Sequence, residues 1–198
     1  MTAEPALLHP LLSAQEQCAI AEIEATTNVL KLVTRLTRMR FAAITKFTDR
    51  EWVTCAVYDP FNLGIKAGVA FDLETTICSE FCTTPEALFI PQISQSERYS
   101  VRPVVRQFDL ESYAGIPIFL PDGRLYGALC VLDCDAVTFD DEDLRESLSL
   151  FARLIGCVFF ANLTQQAVQV VDELPIGQPV AQPVAQGCDP LGASVAMK

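Results

Sequence analysis

The run Ser112-Tyr-Ala-Gly-Ile-Pro-Ile-Phe-Leu-Pro-Asp-Gly-Arg-Leu-Tyr-Gly-Ala-Leu-Cys-Val-Leu-Asp133 constrains the fold of this chain more than any other. Two β-rich halves flank the turn Pro121-Asp122-Gly123-Arg124, so the segment reads as a hairpin. Ala114, Ile116, Ile118 and Leu120 share one face of the first strand, with Tyr113, Gly115, Pro117 and Phe119 on the other. In the return strand, alternation sets Leu125, Leu129 and Val131 opposite Tyr126, Ala128, Cys130 and Leu132. Strands apolar on both faces are normally covered on both sides. One cover is expected to be helical, and the other a second layer that encloses a cavity.

The flanking sequence supplies the helices. Ser13 and Glu16 make a capping box, and from there Cys18, Ala21, Ala25, Val29, Leu32, Leu36 and Met39 recur at steps of three and four. Ile20, Ile23, Leu30 and Val33 widen that stripe. A helix with more apolar surface than one seam uses is expected to pack on its own sheet and on a partner. Phe41–Phe47 and Trp52–Tyr58 read as a first hairpin around Thr48-Asp49-Arg50-Glu51, and 59–64 as a loop. Thr75–Thr84 reads as a short helix stopped before Pro85, Ala87–Ile93 as a strand, and Val101–Phe108 as a short amphipathic segment. Thr138, followed by Asp140, Asp141, Glu142 and Asp143, marks the start of a last helix. Leu144, Leu148, Phe151, Ile155, Val158 and Phe159, with Leu150 and Leu154, form its stripe up to Leu163.

This order predicts an α+β fold, an antiparallel sheet with long terminal helices. Residues 1–12 read as an arm, 13–171 as one domain, and 172–198, where Pro-Val-Ala-Gln repeats, as a disordered tail. A net charge of −11 argues against a nucleic-acid partner, which needs clustered Lys and Arg. No apolar run reaches the roughly 18–20 residues of a membrane span, and the start Met-Thr-Ala-Glu-Pro lacks the basic opening of a secretion signal. A cytoplasmic protein is expected. Its eight cysteines are then reduced, with Cys18, Cys55, Cys130 and Cys157 serving as small core residues within apolar runs.

Tyr113-Ala-Gly-Ile-Pro-Ile118, Pro121-Asp-Gly123, Gly127-Ala-Leu-Cys-Val-Leu-Asp133 and Thr138-Phe-Asp-Asp-Glu142 together resemble the GAF family of small-molecule sensor domains. Thr75-Thr-Ile-Cys78 and Ile90-Pro91 look like earlier elements of the same family, and the likeness spans roughly residues 14–165. It is similar above all to GAF domains in front of bacterial histidine kinases and diguanylate cyclases. The resemblance implies terminal helices on one face of the sheet, and short helices and loops enclosing a ligand pocket on the other. It also implies a homodimer through helices 14–39 and 140–163 that passes a ligand-induced shift to a signalling partner such as a histidine kinase. The ~30 residues after the last helix are too few for an output enzyme, so a stand-alone sensor, a regulatory partner or an excised fragment is expected.

Several residues carry candidate chemistry. Cys78 and Cys82 are four apart in the expected helix 75–84, hence on one face. They offer a thiol site for a chromophore, a redox switch or half a metal site, or else simply pack beneath a helix. Cys130 and Cys134 are poor partners, because residues four apart in a strand lie ~13 Å from each other. Arg98, Arg102 and Arg106 could clamp an anionic ligand or could balance an acidic surface, with Arg102 and Arg106 on one helical face. Tyr113 offers a hydroxyl to a ligand or fills the core.

No cofactor follows from these residues. The one histidine, His9, lies in the arm, so a haem ligand in the pocket and the Cys-His pair of bilin-binding relatives are both missing. Lys46, Phe47, Asp49 and Glu51 only loosely echo a cyclic-nucleotide signature and fall in a turn. Nucleophile–histidine relays and phosphate loops find no support. The expected function is therefore non-enzymatic sensing of a small ligand. Two alternatives stand: a thiol-based redox sensor or reductase using Cys78 and Cys82, and a ligand-free scaffold for a signalling kinase.

Overall fold

The computed structural model describes residues 24–172, with side chains from 26 to 161. The arm 1–12, the capping box at Ser13 and Glu16, and the tail from 173 lie outside the described residues. Helix α1 (Glu24–Thr37) leads into β1 (Phe41–Phe47), β2 (Glu51–Tyr58) and β3 (Ala70–Asp72). Two 3-10 turns, Leu73–Thr75 and Ile77–Cys82, precede β4 (Leu88–Ile90), and a third spans Ile93–Gln95. Helix α2 (Pro103–Gln107), β5 (Ser112–Phe119), β6 (Leu125–Asp133) and helix α3 (Glu142–Asp172) complete the domain. The six strands form one antiparallel sheet in the order β3-β2-β1-β6-β5-β4, the α+β architecture expected.

Both faces of the sheet are covered. On one, Leu30 and Val33 of α1 and Leu148, Ala152, Ile155 and Phe159 of α3 pack on Ala42, Ile44, Ala114, Ile116, Ile118, Leu129 and Val131. On the other, Phe41, Ala43, Tyr113, Ala128, Cys130 and Leu132 meet the 3-10 turns and α2. The hairpin's face assignment holds except at its tip. There Ile118 pairs with Gly127 but Phe119 with Leu125, so one residue is extra on β6. That bulge turns Tyr126 into the helix-side core, against Phe159, and sends Leu125 to the far side. The turn itself closes as read, with Gly123 at φ 87 and its N–H donating to the Leu120 carbonyl at 2.8 Å.

Helix α1 buries Thr26, Leu30, Val33 and Thr37, whereas Leu32 and Leu36 are 42% and 44% exposed. Among the described residues the heptad-like stripe is thus divided: Leu30 and Val33, which widen it, meet the sheet, and Leu32 and Leu36 look outward. On α3, Leu150 and Leu154 are likewise 52% and 53% exposed. The α3 start differs from expectation. Its cap is the Asp141 carboxylate, which accepts the Asp143 and Leu144 N–H groups at 3.0 and 3.3 Å, so the helix begins three residues past Phe139 rather than at Thr138.

The middle of the chain departs furthest from the sequence reading. The helix expected over 75–84 is two 3-10 turns broken at Thr76, which is extended at φ −98 and ψ 164. The strand expected over 87–93 shortens to Leu88–Ile90, because Pro91 has no N–H for the ladder. The amphipathic segment 101–108 is α2, opened by Pro103 at its first position. Strand β3, only three residues long, had no readable period. No helix among the described residues is long and apolar enough to cross a membrane.

Candidate functional site

Cys130 sits at the centre of the sheet, facing Ala43 of β1 on one side and Gly115 of β5 on the other. Gly115 matters for what lies above it. A Cβ there would fall 2.1 Å from the Tyr113 hydroxyl, so the absent side chain leaves the room into which the Tyr113 ring folds. The hydroxyl thereby comes to 3.9 Å from Cys130 Sγ and 3.1 Å from Cys78 Sγ. The turn Ile77–Cys82 lowers Cys78 onto the same spot, 3.5 Å from Cys130 Sγ. Trp52, from β2, donates its indole N–H to Cys78 Sγ at 3.1 Å. Tyr113, Trp52 and both sulfurs are buried.

The electrostatics divide the two thiols. Burial disfavours the Cys78 thiolate, but hydrogen bonds from Cys130, Tyr113, Trp52 and Thr76 outweigh it and hold the Cys78 pKa below the ordinary thiol value. Burial and the neighbouring Cys78 push Cys130 well up. Tyr113 is raised well above an ordinary phenol by burial and by the charges of Cys130 and Cys78. One sulfur is therefore the favoured anion, and its neighbours are proton donors to it.

Around this cluster lies a cavity of about 20 Å³, lined by Trp52, Cys78, Tyr113, Cys130, Ile65 and Leu110 among others. That is room for roughly one water. Larger clefts of about 660 and 520 Å³ border Asp49 and Arg50 of the β1–β2 turn and Asp72 of β3, the second reaching Cys82 but neither lined by Cys78 or Cys130. The small cavity is the better candidate site, because the buried polar groups of Trp52, Cys78, Tyr113 and Cys130 converge on it.

The other candidate residues sit elsewhere. Cys82 is exposed while Cys78 is buried: a 3-10 turn has three residues per revolution, so residues four apart do not share a face. Arg98 and Arg102 both pair with Glu80, Arg102 at 3.2 Å, and Arg102 also donates to the Glu74 carbonyl at 2.6 Å. They hold the 3-10 turn to the α2 loop rather than standing open as an anion clamp. Arg106 is exposed on α2. Cys134, beyond the end of β6, directs its thiol to the Phe108 carbonyl at 3.5 Å, away from Cys130. Of the turn residues that echo a nucleotide signature, Phe47 is stacked on Phe81, ring centroids 6.3 Å apart.

Trp52 and Cys130 escaped the sequence reading as site residues. A buried indole N–H needs a partner, which was a signal for Trp52. For Cys130 the far-face position was legible, but its neighbour across 52 residues was not.

Comparison with known proteins agrees with this architecture. The family model for the GAF domain matches residues 22–158. No curated protein matches the sequence. Among solved structures, a protein assigned as a GAF sensor from Burkholderia vietnamiensis is 24% identical, with 84% of this chain and 99% of that one covered and a TM-score of 0.53. A domain of a two-component sensor histidine kinase protein from Sinorhizobium meliloti is 16% identical, with coverages of 77% and 99% and a TM-score of 0.55. A type II free methionine-R-sulfoxide reductase from Thermoplasma acidophilum is 12% identical, with coverages of 73% and 94% and a TM-score of 0.56. At these identities the likeness is one of fold.

Proposed function

This chain belongs to the GAF domain family, and from that premise we propose that it is a non-enzymatic sensory module, binding a small ligand on the far face of its sheet and reporting it through paired terminal helices. The observation that supports this reading is the cover of the far face. It consists of short 3-10 turns and the five-residue α2, over a buried centre of phenol, indole and thiols. Short segments open at lower cost than the long helices opposite. With space for about one water, the site takes a larger ligand only by displacing that cover. The fitting ligand class is a compact, mostly apolar molecule with one or two polar atoms to meet Tyr113 and Trp52.

The output belongs to the opposite face. Leu32, Leu36, Leu150 and Leu154 project from the two long helices, and a second copy of the chain would bury them. The Sinorhizobium neighbour comes from a sensor histidine kinase protein, which supports a signalling kinase as the partner class. Native mass spectrometry of the purified chain tests the whole reading. A dimer retaining a small molecule is the expected result, and a bare monomer overturns it. The nearly filled cavity also supports the scaffold reading, which a dimer without any retained or added ligand would establish instead.

A further inference from the structure

We propose that Cys78 and Cys130 form a peroxide-reactive dithiol, in which a hydroperoxide as small as hydrogen peroxide oxidises Cys78 and Cys130 then closes a disulfide. This goes beyond the ligand reading and is independent of it.

Three observations meet here. The two sulfurs are 3.5 Å apart, and a disulfide needs about 2.05 Å, so closure asks for a movement of roughly 1.5 Å. Cys130 is fixed between two ladder partners, but Cys78 belongs to a 3-10 turn with no strand on either side, so it is the sulfur that moves. Trp52 and Tyr113, each 3.1 Å from Cys78 Sγ, stabilise negative charge on that sulfur and mark it as the nucleophile. The cavity of about 20 Å³ beside both sulfurs sets the substrate class: it admits a molecule of one or two heavy atoms and excludes a bulky one. Cys55 lies in the core on the other side of the sheet, and Cys82 and Cys157 are exposed.

The chemistry balances without a further reactant. The Cys78 thiolate attacks one peroxide oxygen, and the O–O bond breaks. The sulfur becomes a sulfenic acid, and the departing hydroxide takes up the proton that Cys78 had lost, giving water. The Cys130 sulfur then attacks the sulfenic sulfur as the S–O bond breaks, and its proton leaves with that hydroxyl as a second water. Two thiols have lost two electrons and two protons, and the peroxide has become two waters. A small dithiol reductant reverses the change by exchange.

The full chain is treated with stoichiometric hydrogen peroxide, alkylated, digested and mapped. The expected product is a Cys78–Cys130 cross-linked peptide lighter by two hydrogens and lost on dithiothreitol treatment. Cumene hydroperoxide should react at least tenfold more slowly. In Cys130→Ala, dimedone present as the peroxide-treated chain is unfolded should trap a sulfenic acid at Cys78, and Cys78→Ala should leave Cys130 a thiol. Should either variant not fold, the wild-type map decides. Full alkylation of both cysteines once the treated chain is unfolded, or a cross-link through Cys82 or Cys134, would overturn the proposal.

Discussion

Arg40 and Asp133, 93 residues apart, are joined three ways. The Arg40 backbone N–H donates to one carboxylate oxygen at 2.8 Å and its Nε–H to the other at 2.8 Å, while a terminal guanidinium nitrogen also reaches the second oxygen. The Asp135 N–H adds a further hydrogen bond at 2.9 Å. Arg40 precedes β1 and Asp133 ends β6, so this contact pins the two central strands of the sheet at one end.

Asp133→Ala should therefore destabilise the domain by about 2 kcal/mol, less than a fully buried pair because the Arg40 side chain is 35% exposed. Burial raises the Asp133 pKa, but hydrogen bonds from Arg40 and the Asp135 N–H outweigh it and leave the carboxyl below its usual range. A depressed folded value means the contribution is whole above the unfolded pKa of about 3.9 and is lost as pH falls through the folded value. In urea unfolding from pH 7 down to 3, the stability gap between wild type and variant should stay constant to about pH 4 and start to narrow below it; parallel curves throughout would contradict it.

Gly156 of α3 packs on the backbone of β5, where a Cβ would fall 2.1 Å from the Phe119 carbonyl oxygen. In an isolated helix, Gly→Ala gains about 1 kcal/mol. Here the clash is with backbone that cannot rotate away, so Gly156→Ala should lose about 2 kcal/mol or more by thermal unfolding. A raised melting temperature would show that α3 slides on the sheet.

Glu80 is the anchor that ties the turn over Cys78 to Arg98 and Arg102, with its side chain only 11% exposed. Glu80→Gln should cost about 1 kcal/mol or less globally, since Arg98 is 66% exposed and solvent-screened. Its main effect should be local. Amide exchange over 77–82 should quicken while β1 and β6 stay protected, and unchanged exchange would mean that apolar packing alone holds the turn.

The outward leucines of α3 allow the proposed dimer to be tested apart from folding. Because Leu150 and Leu154 are about half exposed in the protomer, Leu150→Asp with Leu154→Asp should leave far-UV circular dichroism unchanged. Light scattering should then fall from dimer to monomer mass. A double variant that keeps the wild-type mass would remove these residues from the interface.

Where neighbouring residues decided a feature, the sequence showed it. β1 occupies the same seven residues that read as the first run of a hairpin, and Gly123 closes the second hairpin at a positive φ. The middle segment was harder to read. Thr75–Thr84 carries too few residues to tell a 3.6 period from a 3.0 one, and that difference turned Cys82 outward. The arginines looked available for a ligand because Glu80, 18 residues from Arg98, was invisible as their partner until the loop folded back.

The sequence by itself determined an antiparallel sheet apolar on both faces, two long helices with more apolar surface than one seam needs, and a GAF resemblance. The sheet and the helices follow from periods of two and 3.6 and from turn residues, and the resemblance from short motifs, all within reach of a few neighbours along the chain. The tertiary structure alone decided which groups meet inside the far face. Cys78 found Cys130 rather than Cys82, and Tyr113 bent over Gly115 to join them. Those contacts depend on strand register, on one bulge and on how a 3-10 turn lands on the sheet, and each is set by packing between residues far apart in sequence.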